Sequence, residues 1–199
     1  KGVEFLREAQ IRVIDTRMHK YQYQFNLHID DFAGYMSVTH NFQRRLASSF
    51  AFNDDFASGP LANFKWTAQQ TVPVMNSAKK LDIEPLGAIA TIMFSYASHQ
   101  YSSVHGAIPY QDFRKLKEQH PLNYDKLSDI YSWIFEDLDN AIDVLEKYQQ
   151  NPSDKMNLYM EQMDMASGGR GASAIVAQWV KLANSLRLRM AMNIQKVDD

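Results

Sequence analysis

The sequence predicts an all-α domain, and three observations carry that prediction. Several stretches place apolar residues three and four positions apart, the interval that gathers side chains onto one helical face. Six prolines and eight glycines in 199 residues leave room for long uninterrupted helices. Alternating strand-like patterns are scarce.

Taken in order, a helix is expected over residues 5–16. Residues 21–38 follow, where Tyr21, Tyr23, Phe25, Leu27, Phe32, Tyr35 and Met36 crowd together at irregular spacing; this stretch reads as helical or mixed. Residues 48–63, SSFAFNDDFASGPLAN, carry Asn53-Asp54-Asp55 and Gly59-Pro60. Such residues turn the chain or bond to their own backbone, so the segment reads as a surface loop.

Over residues 64–81, Trp66, Val72, Met75 and Ala78 recur at near-helical intervals, and Pro73 predicts a kink or a restart. Pro85 suits the first turn of the next helix. That helix, 86–104, is apolar around nearly its whole circumference, so other helices must surround it. Gly106 and Pro109 then stop it and force an extended turn.

Residues 127–148 give the cleanest amphipathic helix, with Ile130, Ile134, Leu138, Ala141, Leu145 and Tyr148 in one stripe and acidic residues opposite. Pro152 and its polar neighbours end it. A loop through Ser167-Gly168-Gly169-Arg170-Gly171 precedes the last helix, 179–194, whose stripe is Trp179, Leu182, Ala183, Leu186, Met190 and Ile194. The helices suggest an array of pairs joined by sizeable loops; a clean repeat of about 34 residues, the tetratricopeptide period, is absent, and degenerate pairs stay open.

Composition narrows the function classes. Lys and Arg total 21 against 23 Asp and Glu, so a net charge of -2 supplies no field that would gather nucleic acid or anionic lipid. The longest nearly apolar run, 86–97, is about half a membrane span and contains Thr91 and Ser95. With no cysteine there are no disulfides, thiolate metal sites or thiol nucleophiles in this sequence. The chain starts at Lys1 without an initiator Met or an apolar signal region, so an N-terminal export segment, if there was one, has already been removed; it stops abruptly after a strong helix, and both ends suggest a fragment.

Four segments, in order, resemble one family. The last helix reads WVKLANSLRLRMAMNI, and Trp179 followed by Asn184-Ser185-Leu186-Arg187-Leu188-Arg189 is its most specific part. Residues 101–110, YSSVHGAIPY, resemble the family's glycine-containing turn through Gly106, Ile108, Pro109 and Tyr110, but carry Ala107 where an aspartate is usual. Residues 124–145, YDKLSDIYSWIFEDLDNAIDVL, match a family helix through Asp137, Leu138, Asp139, Ala141 and Ile142. The run from Gly168 to Gly171 sits where a turn precedes the tryptophan, again without its aspartate. Together they resemble the SusD/RagB family of outer-membrane nutrient-binding lipoproteins.

The resemblance implies an all-α fold with tetratricopeptide-like helix pairs and long loops, residues 1–199 forming one helical domain that is the N-terminal portion of a longer protein. It also implies a non-catalytic cell-surface protein of the outer membrane that captures a glycan or other oligomeric nutrient and passes it to a SusC-like TonB-dependent transporter. The membrane anchor would be a lipid on an N-terminal cysteine that this chain lacks. No cofactor is implied.

Glycan capture needs flat aromatic rings against sugar faces, and carboxylates or amides for the hydroxyls, on reachable loops. Phe52, Asn53, Asp54, Asp55 and Phe56 bring that chemistry to the expected 48–63 loop, and family members use N-terminal loops for sugars. The competing reading is that both phenylalanines plug the core while the polar residues cap the following helix. Arg187 and Arg189 read as structural donors to carboxylates or helix ends.

Catalysis finds little support. The six histidines, His19, His28, His40, His99, His105 and His120, show neither HExxH nor Glu-x-x-His spacing, and each reads as a surface or hydrogen-bonded core residue. His28 with Asp30 and Asp31 lacks a shared helical face. Asn53-Asp54-Asp55 lacks a calcium loop's ligand pattern, and the glycine run lacks a phosphate loop's lysine. Asp137 and Asp139 read as a solvated helix face. Two alternatives remain: a soluble tetratricopeptide-like adaptor for a partner peptide, and a small helical hydrolase.

Overall fold

The computed structural model describes residues 1–13, 18–37, 54–115 and 121–197. Among them all regular structure is helical, apart from one isolated antiparallel bridge between Ile108 and Asp125. Helix α1 is Gly2–Val13; α2, Met18–Tyr21, runs through a π-helical segment, Gln22–Ile29, into α3, Asp30–Phe32. Then come α4, Asp54–Ser77; α5, Glu84–His105; the short α6, Tyr110–Arg114; α7, Leu127–Gln150; α8, Asp154–Met163; and α9, Ala172–Ile194.

The all-round apolar helix is central, as expected. Helix α5 packs against α1, α4, α7 and α9, and Leu86, Ile89, Ile92, Met93 and Phe94 are almost wholly buried. Each such side chain contributes roughly 1.5–3 kcal/mol of transfer free energy, enough to organise the array around this one element. Pro85 occupies the first turn, where its missing N–H costs no helical bond. At the far end Gly106 takes φ +75°, and its N–H reaches Ser102 O at 2.7 Å.

The α4–α5 connection is a tight hairpin. Residues 78–82 leave the helix with Ile83 N–H bonded to Ala78 O (3.0 Å) and Asp82 N–H directed at Lys79 O (3.4 Å), the paired bonds of a Schellman closure. Asp82 takes the left-handed position, φ 54°, usually given to glycine, and Ile83 buries against the core. The first turn of α5 then lies so close that a Cβ on Gly87 would stand 2.5 Å from the Cβ of Ala78. Glycine is required there for space.

Helix α4 departs from expectation. Its backbone is helical from Asp54, so residues 54–63 are not part of a surface loop, and it continues through Pro73 without restarting. Each internal proline removes a bond and costs about 3 kcal/mol in isolation. Burial of Phe64, Ala68, Val72 and Val74 outweighs this. Tertiary packing, against α1, α5 and the π-helical segment, overrides the local Gly59-Pro60 signal.

The remaining pairs close the array. In α7, Ile130, Ile134, Leu138, Ala141 and Leu145 are buried as one stripe and Tyr148 is half-buried. Helix α8 was not foreseen; Ser153 caps it by accepting the Met156 N–H (3.4 Å), and Met156, Met160 and Met163 form its inner face. Helix α9 begins seven residues earlier than the 179–194 expectation, with Ala172, Ile175 and Val176 adding a buried turn. Its stripe buries Trp179, Ala183, Leu186 and Met190, whereas Leu182 stays 39% exposed.

Helix α1 is fastened to the end of α8 and the turn after it by polar bonds. Gln10 donates to Met163 O (2.7 Å) and accepts from Met165 N–H (3.0 Å), and Arg7 donates to Gln162 O (2.9 Å).

Candidate functional site

Of the five residues expected to meet a glycan, Phe52 and Asn53 lie outside the described residues. Asp54, Asp55 and Phe56 form the start of α4; their backbone is helical and their side chains lie outside what the structure describes. Phe64 stacks on Tyr101 near the end of α5 (centroids 5.2 Å) and meets Phe113 edge-on (4.9 Å). At about 1.5 Å rise per residue, the start of α4 projects well past that cluster.

The same end of the molecule holds the glycine-containing turn. Asp125 N–H reaches Ile108 O (2.9 Å), Asp125 accepts the Gln111 N–H (2.9 Å), and buried Asp112 accepts the Asn123 N–H (2.8 Å). Tyr124 is 66% exposed beside this frame, and His105 packs on Tyr101 (4.8 Å). The turn is thereby rigid on its inner side and aromatic on its outer side.

Asp137 corrects the expectation of a solvated acidic face. It is buried, accepts the Tyr110 hydroxyl at 2.6 Å and pairs with Arg114. Burial first, then the Asp137 charge and hydrogen bond, pushes the Tyr110 phenol far above its ordinary range, so it remains a donor. Burial pulls the Arg114 guanidinium down, but the hydrogen bond and charge of Asp137 together hold it above its usual value. The triad ties α6 to α7; it contains no nucleophile.

Asp139 differs from Asp137. It stays about half exposed and pairs with Arg187 of α9 at 2.9 Å, which gives Arg187 the structural role expected of it. Arg189 instead lies over the Tyr96 ring (5.8 Å). His99, almost fully buried, is within 3.4 Å of the Tyr131 hydroxyl and 3.3 Å of the Asn193 amide. Burial, then the Arg189 charge, lowers its pKa to about 4, so it is neutral near pH 7. It is a hydrogen-bonded core histidine. Among the described residues no group of His, Asp and Glu is placed to hold a metal ion.

Two concavities were not legible in the sequence. One, of about 550 Å³, lies between the end of α7, α8 and the start of α9, with Tyr148, Gln149, Asn157 and Glu161 at its polar side and Ser173 and Ala174 opposite. The other, of about 450 Å³, is an apolar groove where Ile11, Met93, Tyr96, Met165, Trp179 and Leu182 meet. Gln10 lines this groove, but both ends of its amide are engaged by the turn after α8. Neither concavity could be foreseen, because each joins residues more than ten apart or from different helices.

A family model described as SusD-like, SusD and RagB outer-membrane lipoprotein, matches residues 3–199. No curated protein sequence matches the chain. Among solved structures, a SusD-like protein from Bacteroides thetaiotaomicron superposes with a TM-score of 0.81 at 21% identity, covering 100% of this chain and 39% of that one. A chitin-binding SusD homologue from Flavobacterium johnsoniae gives 0.80 at 26% identity, over 98% of this chain and 39% of its own. A SusD homologue from Bacteroides uniformis gives 0.80 at 23%, over 98% and 38%. The chain thus spans about two fifths of the length of these solved relatives.

Proposed function

The chain belongs to the SusD-like family of outer-membrane lipoproteins, and from that premise we propose that it is the helical scaffold of a non-catalytic, cell-surface glycan-binding protein. In this reading the protein holds an oligosaccharide or similar oligomeric nutrient for a SusC-like TonB-dependent transporter, and breaks no bond in doing so. A lipid on the protein's N-terminus would keep it at the outer membrane; no described helix is long and apolar enough to cross one.

The observation that carries the reading is the shared fold with the chitin-binding homologue across nearly the whole chain. The chemistry of the scaffold agrees with it. Two of its charged clusters, Tyr110–Asp137–Arg114 and Asp139–Arg187, brace one helix against another. Phe52, Asn53, Asp54, Asp55 and Phe56 remain the proposed sugar contacts; the last three begin α4.

The test is a binding screen of chito-, malto-, xylo- and manno-oligosaccharides against the full-length protein and against this chain, read by calorimetry. Saturable binding without turnover supports the reading. A bound polypeptide of micromolar affinity with no saccharide response would favour the adaptor alternative instead, and hydrolysis of any saccharide by pure protein would remove the non-catalytic assignment. Binding by the full-length protein alone would sink the assignment of residues 52–56.

A further inference from the structure

The cleft between α7, α8 and α9 carries unused hydrogen-bonding capacity. The Tyr148 hydroxyl donates to Asn157 Oδ1, which leaves the Asn157 amide nitrogen without a partner among the described residues. Gln149 donates through its nitrogen to Ser173 O (3.1 Å), and its carbonyl oxygen has no partner among the described residues. Glu161 accepts the Ala172 N–H through Oε1 (3.3 Å), and Oε2 has no partner among the described residues. A donor, a neutral acceptor and a charged acceptor therefore line one concavity beside a tyrosine ring and Pro152.

The lining excludes several ligand classes. An anion would find no lysine or arginine there, and the α9 N-terminus that could attract it is already covered by the Glu161 carboxylate. A metal ion would find one carboxylate. A purely apolar ligand would bury the three open polar groups without partners, at roughly 1–3 kcal/mol each. The lining suits an uncharged molecule with several hydroxyls and apolar ring faces. At about 550 Å³ the cleft falls within the usual small-molecule range of ~300–1,000 Å³.

We propose that this cleft is a second saccharide subsite, which takes a neutral sugar segment against Tyr148 and Pro152 with its hydroxyls on Asn157, Gln149 and Glu161. The inference rests on the glycan-binding reading above. It adds a site that shares no residue with the start of α4, since the cleft is built from α7, α8 and α9. A ligand of several sugar units would then touch the protein at two separated places, which raises effective affinity without any new contact type.

The experiment uses the full-length protein and the oligosaccharide from the screen that binds it. Ala174→Trp fills the cleft from an exposed position and touches none of its side-chain hydrogen bonds; Glu161→Gln removes the charged acceptor. The expected result is a fivefold or greater loss of affinity in Ala174→Trp and a smaller loss in Glu161→Gln. Hydroxyl-radical footprinting of the unaltered protein should show Tyr148 protected on adding the saccharide, and this arm stands even if a variant folds poorly. Unchanged affinity in folded variants, or no protection at Tyr148 while saccharide is bound, overturns the subsite and leaves the glycan-binding reading intact. If no saccharide binds the unaltered protein, that reading fails and the subsite falls with it.

Discussion

The Tyr110 hydroxyl donates to Asp137 Oδ2 at 2.6 Å, joining the start of α6 to the middle of α7 in a place where both residues are buried. A hydrogen bond to a buried carboxylate contributes roughly 1.5–3 kcal/mol. Tyr110→Phe should therefore lower stability by about that amount, seen as a lower urea midpoint with an unchanged slope. Asp137→Ala should cost more, because Arg114 also loses its partner. Equal midpoints for Tyr110→Phe and the parent would show that the bond contributes nothing.

His99 gives the fold a pH dependence of definite sign. Its pKa is about 4 when folded and 6.5 when free, so the unfolded chain binds the proton more tightly. Stability is full above pH 6.5, declines as pH falls towards 4, and stops changing on this account below 4. At ~1.36 kcal/mol per pKa unit, the loss is at most about 3 kcal/mol. Urea titrations at pH 7, 5.5 and 4 on the parent and on His99→Gln would check it, since the substitution should flatten the decline.

Asp82 holds a left-handed backbone position with a side chain exposed to solvent. That conformation costs an ordinary residue about 1–2 kcal/mol, and less for aspartate. Asp82→Gly is expected to gain a few tenths to ~1 kcal/mol, and Asp82→Val to lose at least as much. Thermal unfolding of the three proteins in parallel would show the order Gly, Asp, Val; any other order refutes the strain.

Gly87→Ala should destabilise although alanine is the better helix former by ~1 kcal/mol. The new methyl group would meet the Ala78 Cβ at 2.5 Å. Overpacking of this kind costs roughly 1–3 kcal/mol, so a net loss is expected. Combining it with Ala78→Gly should recover part of the loss, a coupling measurable in a double-mutant cycle.

Much of the fold was legible where apolar periodicity was long and regular. Ile130 to Leu145 and Trp179 to Met190 announced α7 and α9, and the unbroken apolar surface after Pro85 announced the central helix. Helix α8 escaped because its inner face is three methionines, Met156, Met160 and Met163, in a polar stretch just past Pro152. Residues 54–63 misled because Gly59 and Pro60 are local signals, whereas their helix is maintained by packing on distant elements.

The site was less legible for a related reason. Asp137 and Asp139 look alike in sequence, two residues apart on one helix, yet one is buried on Tyr110 and Arg114 and the other reaches Arg187. Their difference is written 23 to 48 residues away. The open groups on Gln149, Asn157 and Glu161 converge only because the α7–α8–α9 turns bring them together.

Gln10 sets an order of events for the chain. Its partners, Met163 and Met165, lie more than 150 residues downstream, so the first helix cannot complete its polar contacts until nearly the whole array exists. At a synthesis rate of ~5–20 residues per second, that interval is roughly eight to thirty seconds. During it, Leu6, Ala9 and Val13 can dock on α4 and α5, which are made first, and the polar contacts that join α1 to the end of α8 close last.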